Sequence, residues 1–314
     1  MASRRIPTPS EGRLRPVYLG TSPFAATVLR RLAASAHVPA LVITPPDSRS
    51  GRGRRPHPPA VAEAARELEL KLHQAESVND PDVLKRIRAA EADVGAVCAF
   101  GQLIREPLLS ELELLNVHPS LLPRWRGAAP IERAILAGDE RTGVTILRVT
   151  AGLDSGPIAL AEPAEIAGRN YRELASELAD RGAELLVRAL DLATAGALSF
   201  TEQDEDAASY AEKIDRSERR LDPERPAVEL ERVVRALTPH VGAYVELGGG
   251  ERLRVHAARA RLGELPPGRL EDGGDALLLG CGEGVLELTG VHPAGGRPMQ
   301  AADYLRGHPL PRLA

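Results

Sequence analysis

Short apolar runs alternate with segments of helical periodicity through the first two hundred residues, and this alternation restricts the fold more than any other feature. The run from Val17 to Leu19 ends at Gly20, and apolar residues then recur at helical spacing from Phe24 to Leu32. A second apolar run follows from Val38 to Ile43. Short apolar runs bounded by glycine are typical of strands, so this order predicts a strand, a helix and a second strand.

The same alternation continues toward the middle of the chain. We expect helices from about Pro59 to Leu70 and from Pro81 to Ala90, and strands over Val94–Phe100 and Leu114–His118. Strands that alternate with helices of this length favour a parallel sheet covered by helices on both faces. The sequence therefore predicts an α/β domain with a doubly wound, mostly parallel sheet.

The end of this domain departs from simple alternation. A strand at Val144–Val149 is followed by a Gly-Leu-Asp-Ser-Gly turn and by the run Pro157–Ile166, which together resemble a hairpin. We therefore expect the sheet to be mixed. A long helical segment from Tyr171 to Ala195 then closes the domain.

Composition divides the chain into four parts. Residues 1–13 are polar and aperiodic and predict a disordered tail, and residues 14–203 form the α/β domain. Residues 204–219 begin with an acidic segment poor in large apolar residues and predict a linker. From Val228 onward short strands alternate with Gly-rich turns, so residues 220–314 predict a second domain built as a small barrel or sandwich.

Membrane, secretory and metal-binding classes find no support in the sequence. There is no apolar run of membrane-spanning length, and the basic N-terminus lacks the apolar stretch of a signal peptide, so we expect a cytoplasmic protein without a membrane partner. The two cysteines, Cys98 and Cys281, are too few for a disulfide framework and lack zinc-ligand spacing. We therefore expect neither disulfides nor a metal.

A local cluster of arginines follows the second predicted strand. The net charge of −4 does not favour nucleic acid, but phosphate contacts depend on local patches rather than on total charge. The segment contains Gly51 and Gly53, and its four arginines are Arg49, Arg52, Arg54 and Arg55. Two interpretations are open: a flexible solvated loop, or a loop that becomes ordered when its arginines contact phosphates.

The strongest chemical signal is the pair Asn116 and His118. Residues two apart on a strand point to the same face, and both lie at the C-terminal end of the strand, where open α/β sheets place their ligands. An amide donor beside an imidazole can stabilise negative charge on a carbonyl oxygen under attack. The alternative is that His118 is a structural core residue.

Asp154 lies in the Gly-flanked turn after the strand at Val144–Val149. A carboxylate in such a turn can simply favour the turn conformation. The functional alternative is that Asp154 orients His118 or accepts, through water, the proton that an attacking amine loses.

Several stretches of the sequence resemble the methionyl-tRNA formyltransferase family. They span nearly the whole chain and are GTSPFA, TPPDSRSGRGRRPHPP, AFGQLI, NVHPSLLPRWRGAAPIERAI, TGVTI, GLDSG, YAEKI and PAGGRPMQAADYLRG. The Asn-x-His pair with Asp154 is similar to a triad shared by 10-formyltetrahydrofolate transferases in general. The segment RWRGAAPI and the C-terminal stretch are more specific to the tRNA enzymes.

This resemblance implies a function and a set of site residues. Asn116, His118 and Asp154 would catalyse direct transfer of the formyl group of 10-formyltetrahydrofolate to the methionine amino group on initiator tRNA. The folate co-substrate would be lined by Ser120, Leu121, Leu122 and Pro123. The tRNA would be held by an OB-like C-terminal barrel, by Lys213 of YAEKI and by the arginine loop with Arg49, Arg52, Arg54 and Arg55. The resemblance implies neither a metal nor an obligate protein partner.

Two alternatives and two departures accompany the resemblance. The same triad serves formyltransferases that act on small amines, such as glycinamide ribonucleotide or an amino sugar nucleotide. A non-catalytic RNA-binding protein of this fold is a third class, which the intact triad disfavours. The usual Asn-Pro-Trp-Pro of the family is here Thr238-Pro239-His240-Val241, and its Tyr-Gly is Phe100-Gly101.

Overall fold

The structure is a computed structural model that describes residue 6, residues 12–49 and residues 56–313. Most of the predicted tail, residues 1–13, lies outside the described residues. Three of the four clustered arginines, Arg52, Arg54 and Arg55, also lie outside them.

The helices and strands have the following bounds. The α-helices are α1 Pro23–Ala33, α2 Ala60–Glu67, α3 Pro81–Ala89, α4 Leu108–Glu111, α5 Pro130–Ala137, α6 Tyr171–Thr194, α7 Ala227–Leu237 and α8 Ala301–Gly307. The strands up to residue 165 are β1 Pro16–Gly20, β2 Leu41–Thr44, β3 Ser48–Arg49, β4 Pro56–His57, β5 Leu72–Gln74, β6 Val94–Cys98, β7 Leu114–His118, β8 Arg126–Gly127, β9 Arg141–Arg148 and β10 Ile158–Glu165. The later strands are β11 Tyr210–Ala211, β12 Ala243–Glu246, β13 Arg252–Arg261, β14 Leu270–Asp272, β15 Leu277–Gly280, β16 Val285–His292 and β17 Met299–Gln300.

The described chain divides into two compact units. The first comprises residues up to Pro130, Thr142–Glu165 and Ala175–Ala211, and the second comprises Ile131–Arg141, Ile166–Leu174 and the residues from Glu212 onward. The second unit thus includes two segments that precede residue 204 in the chain. The boundaries that composition suggests, at residues 203 and 220, stay a prediction.

Within the described residues, the first unit is built on a seven-stranded sheet with the order β10-β9-β7-β6-β1-β2-β5. The central strands β2, β1, β6 and β7 pair in parallel, whereas β9 runs antiparallel to β7. The central strands β1, β2 and β6 are buried along their whole length. These observations confirm the predicted doubly wound, mixed sheet.

Helix α1 shows how the local sequence produces these elements. The hydroxyl of Ser22 accepts a hydrogen bond from the Ala25 N–H and so caps the helix, and Pro23 begins the first turn, where no N–H is required. One face of the helix, which includes Val28, Leu29 and Leu32, is buried. The spacing of these three residues is the repeat that predicted the helix.

Within the described residues, the second unit contains a six-stranded antiparallel sheet. Its order is β12-β13-β16-β15-β14, and β17 pairs with Gly290 and Val291 of β16, beyond the residues of β16 that pair with β15. This all-antiparallel sheet confirms the predicted change of fold class in the C-terminal part of the chain.

The prediction of strands from Val228 onward is wrong at its start. Residues Ala227–Leu237 form helix α7. Its buried residues include Leu230, Val233, Val234 and Leu237, which recur at helical spacing. The helical spacing of these residues is visible in the sequence, whereas the strand prediction rested on the Gly-rich turns that follow them.

None of the helices in residues 12–49 and 56–313 is long and apolar enough to cross a membrane.

Candidate active site

Asn116 and His118 lie on the same face of β7, next to the C-terminal end of the strand. Strand β7 pairs with β6 on one side and with β9 on the other, and His118 lies opposite Thr145 in that antiparallel pair. The intervening residue Val117 is buried on the opposite face. Asn116 is partly exposed, whereas only 4% of His118 is exposed. The imidazole is therefore almost completely shielded from solvent, whereas Asn116 keeps some exposed surface.

Asp154 joins this pair from the loop between β9 and β10. Its Oδ1 accepts a hydrogen bond from Nδ2 of Asn116 at 3.2 Å, and its Oδ2 lies 3.6 Å from Nδ1 of His118. Oδ2 also accepts a hydrogen bond from the backbone N–H of Gly127 at 2.9 Å. The structure thus brings together the three residues that the sequence singled out for chemistry.

The partners of His118 fix which of its ring nitrogens carries a proton. Nε2 lies 2.8 Å from the carbonyl oxygen of Trp125, and a carbonyl oxygen can only accept a hydrogen bond. Nε2 is therefore protonated and donates to Trp125. Nδ1, the nitrogen beside Asp154, is then the atom that gains or loses a proton when the ring changes charge.

Backbone conformation around the cluster is unusual. Asp154 has φ 47°, Trp125 has φ 65° and Gly127 has φ 115°. Left-handed backbone is uncommon for residues other than glycine, and a bulky residue such as tryptophan adopts it only when its surroundings impose it. Conformations of this kind concentrate at functional sites, where they set the direction of a side chain or carbonyl.

The predicted folate residues form a loop directly after β7. The Ser120 hydroxyl donates to the carbonyl oxygen of Arg124 at 2.7 Å, and the hydroxyl of Thr145 donates to the carbonyl oxygen of Ser120 at 2.7 Å. Ser120 and Leu122 are buried, whereas Leu121 and Pro123 keep some exposed surface. Within this group, Leu121 and Pro123 have side-chain surface that a ligand could contact.

The predicted tRNA residues belong to other parts of the chain. Arg49 is the last residue of β3, and Arg52, Arg54 and Arg55 lie outside the described residues. Lys213 is exposed in the second unit, and its carbonyl oxygen accepts a hydrogen bond from Nη2 of Arg133 at 3.1 Å. Their contact with tRNA stays a prediction.

Three further residues take part in the site's architecture: Arg126, Gln203 and Glu205. Gln203 donates from Nε2 to the carbonyl oxygen of Asp154 at 2.8 Å and accepts from Nε of Arg126 at 3.0 Å. Arg126 also donates to both carboxylate oxygens of Glu205. The sequence offered one signal for them, an arginine inside RWRGAAPI, but nothing marked its partners almost 80 residues away.

The two thiols lie apart from this chemistry. Cys98 and Cys281 are both buried and unbridged. Burial raises the pKa of Cys98 to about 12 and that of Cys281 to about 11, so both are protonated near neutral pH. Among the described residues, no group of three His, Cys, Asp or Glu side chains is arranged to hold a metal ion.

Comparison with known proteins matches both parts of the chain to formyltransferase families. Residues 14–190 match the family Formyl transferase, and residues 213–309 match Formyl transferase, C-terminal domain. The methionyl-tRNA formyltransferase of Parvibaculum lavamentivorans is 40% identical over 304 residues, which are 93% of this chain and 96% of that protein. The methionyl-tRNA formyltransferase of Halorhodospira halophila is 44% identical over 303 residues, which are 94% of this chain and 97% of that protein.

A solved structure has a similar fold at low sequence identity. HypX from Aquifex aeolicus, crystallised in complex with tetrahydrofolic acid, superposes with a TM-score of 0.64 at 17% identity. The superposition covers 93% of this chain and 47% of HypX, so the chain spans about half the length of that protein. The likeness concerns the fold alone.

Proposed function

The chain belongs to the methionyl-tRNA formyltransferase family, and from this membership we propose that it transfers the formyl group of 10-formyltetrahydrofolate to methionine carried by initiator tRNA. The observation that carries the proposal is the cluster in which Asp154 accepts a hydrogen bond from Asn116 and faces Nδ1 of His118. Similarity to the tRNA enzymes over nearly the full chain favours this acceptor over glycinamide ribonucleotide or an amino sugar nucleotide.

The transfer exchanges one carbon–nitrogen bond for another. The α-amino nitrogen of methionine forms a bond to the formyl carbon, and the bond from that carbon to N10 of the folate breaks. The amine loses a proton, and N10 gains one. An α-amino group has a pKa near 8, so about a tenth of this nucleophile is already neutral near pH 7.

Asn116 is suited to stabilise the oxygen of the formyl group during attack. An amide nitrogen carries two hydrogens, and Asp154 accepts one of them. The second is available to a carbonyl oxygen, since Asn116 is partly exposed. Because Asp154 holds the amide in place, the donor does not have to reorganise as negative charge develops.

His118 and Asp154 are suited to handle the proton. With Nε2 committed to the carbonyl oxygen of Trp125, Nδ1 is the site where the ring accepts a proton. The carboxylate of Asp154, 3.6 Å away, stabilises the positive charge that the ring then carries. The pair can therefore take a proton from the attacking amine, directly or through water, and return it to N10.

The substrate contacts follow from family membership and from exposure. We assign the folate contacts to the loop Ser120–Pro123, within which Leu121 and Pro123 offer exposed surface. We assign tRNA binding to residues 220–314, to Lys213 and to the arginines of residues 49–55. Such an enzyme would work in the cytoplasm, where charged tRNA is available.

Radiolabelled methionyl-tRNA provides the test. Purified protein is incubated with 10-formyltetrahydrofolate and initiator tRNA charged with labelled methionine, and the ester is then hydrolysed and separated. The proposal predicts labelled formylmethionine that depends on the folate. Recovery of labelled methionine without formylmethionine would reject the proposal, provided that an authentic formyltransferase at the same concentration converts all of the methionyl-tRNA.

A further inference from the structure

The segment from Gln203 to Ala211, which composition marks only as acidic, packs back onto the loop that follows β7. Strand β11 pairs in parallel with β8, so that Tyr210 lies opposite Arg126 and Ala211 opposite Gly127. The N–H of Arg126 donates to the carbonyl oxygen of Ser209 at 2.8 Å. All of these residues belong to the first unit. The segment is therefore part of the framework around the triad.

Gln203 uses both ends of its amide. Nε2 donates to two carbonyl oxygens of the loop after β9, that of Asp154 at 2.8 Å and that of Gly156 at 2.6 Å. Oε1 accepts from Nε and Nη2 of Arg126 at 3.0 and 2.9 Å. The side chain of Gln203 thus connects the backbone of the Asp154 loop to the guanidinium of Arg126.

Arg126 makes this connection rigid. Only 1% of the residue is exposed, and a buried guanidinium is stable only when its donors are satisfied. Glu205 supplies a carboxylate that accepts from Nη1 and Nη2 at 2.8 and 2.7 Å, and its own side chain is 67% exposed. The arginine is therefore held in one orientation by two partners from the same segment.

The Asp154 loop is held through both the backbone and the side chain of Asp154. Asp154 has φ 47°, in the left-handed region, which aspartate adopts more readily than most residues other than glycine. Gln203 fixes the carbonyl oxygen of this residue, and Gly127 fixes its carboxylate through Oδ2. Gly127 itself lies in β8, which pairs with β11, and it sits opposite Ala211. Both contacts with Asp154 thus depend on the segment Gln203–Ala211.

We propose that Gln203 is a positioning residue for catalysis: its amide, anchored by Arg126, holds the Asp154 loop in the conformation that aims the carboxylate at Asn116 and His118. The inference rests on the proposed formyl transfer and adds a residue to it. Gln203 does not contact the reacting atoms and acts through Asp154. A displacement of about 1 Å in a catalytic group can cost on the order of 100-fold in rate, so loss of this support lowers turnover without removing any catalytic side chain.

The most selective variant is Gln203→Glu. A carboxylate has the same length and can still accept from Arg126, but it cannot donate to the carbonyl oxygens of Asp154 and Gly156. Gln203→Ala removes both connections, and Glu202→Gln, at an exposed neighbour, is the control. We expect kcat to fall at least about tenfold in both Gln203 variants, with KM for folate and for tRNA within about threefold of wild type. The control keeps the wild-type kcat.

A double-mutant cycle distinguishes positioning from general destabilisation. The kcat is measured at saturating concentrations of both substrates for wild type, Gln203→Ala, Asp154→Ala and the double variant. If Gln203 acts through Asp154, its loss costs little more once Asp154 is absent. Losses that multiply, or a Gln203→Glu variant with a kcat within twofold of the wild-type value, would overturn the inference.

Hydrogen exchange tests the same inference without turnover, which separates it from the formyl-transfer proposal. If Gln203 holds this loop, backbone amides in peptides covering residues 149–158 should exchange faster in both Gln203 variants than in wild type or in Glu202→Gln. An inactive wild type would reject formyl transfer alone. Unchanged exchange in these peptides would reject the positioning role, whether or not the wild type is active.

Discussion

The side-chain amide of Asn116 donates to Oδ1 of Asp154 at 3.2 Å and so joins the end of β7 to the loop after β9. The two residues are 38 positions apart in the sequence. Because one N–H of the amide is held in this way, the direction of the other is fixed. A donor in a fixed direction is what stabilisation of a developing oxyanion requires.

Removing either member of the proton-handling pair should abolish most of the activity. His118→Ala and Asp154→Ala are expected to lower kcat by about 10²–10⁴-fold, the usual contribution of general acid–base groups. Asp191→Asn is the matched control, since Asp191 pairs with His37 at 3.0 Å in the same unit and has no proposed role in catalysis. A triad variant with more than about a tenth of the wild-type kcat would remove that residue from the mechanism.

Asn116→Ala should affect the rate more than the binding of folate. Loss of one oxyanion donor costs about 2.7–4 kcal/mol in comparable sites, which corresponds to a fall in kcat of about 10²–10³-fold. Folate affinity, measured by equilibrium titration, is expected to change little. If only folate affinity fell, Asn116 would bind the ground state of the co-substrate and the oxyanion role would be wrong.

Local periodicity was enough to predict two of the three residues of this cluster. The alternation of side chains along Leu114–His118 placed Asn116 and His118 on one face, and the structure shows a strand with these bounds. The proximity of Asp154 could not be derived in this way, because it depends on the antiparallel pairing of β9 with β7 and on the left-handed backbone of Asp154. From residue type alone, Asp154 could be either a turn-forming residue or a catalytic one.

Gln203 illustrates a different limit of sequence reasoning. Its segment is acidic and poor in large apolar residues, which is typical of a linker. The pairing of β8 with β11 involves two residues on each side, and pairs this short have no periodic signature. The role of the buried Arg126 can be recognised only from the structure, which shows its hydrogen bonds to Gln203 and Glu205.

The arginine loop should control use of the tRNA rather than of the folate. Arg52→Ala is expected to raise KM for initiator methionyl-tRNA while folate affinity stays unchanged, because the guanidinium is a bidentate partner for phosphate. Salt should also inhibit the wild type more steeply than the variant, since a lost phosphate contact reduces the salt dependence. Arg86→Ala, at an exposed arginine of α3, is the control and should match the wild type in both respects. Equal salt dependence and an equal KM for the tRNA in Arg52→Ala and wild type would show that Arg52 makes no contact with the substrate.

The Arg126–Glu205 pair should make stability depend on pH. The hydrogen bonds from Arg126 lower the pKa of Glu205 below its ordinary value of 4.5. A carboxyl group with a lowered pKa contributes stability above its unfolded-state pKa and loses this contribution as pH falls toward the folded-state pKa. Glu205→Gln is therefore expected to unfold at a lower urea concentration than wild type at pH 7, with a smaller difference below about pH 4.5. Glu202→Gln should match the wild type throughout, and a difference for Glu205→Gln that grew on acidification would contradict the assigned direction.

The identity of the acceptor is tested most directly by comparing kcat/KM for different acceptors. The protein is supplied with 10-formyltetrahydrofolate and, in parallel reactions, with charged initiator tRNA, elongator methionyl-tRNA or glycinamide ribonucleotide, and kcat/KM is measured for each. We predict that initiator methionyl-tRNA gives the highest kcat/KM, that the elongator tRNA is used less efficiently, and that glycinamide ribonucleotide is not formylated. A kcat/KM for glycinamide ribonucleotide equal to or above that for initiator methionyl-tRNA would contradict the assignment.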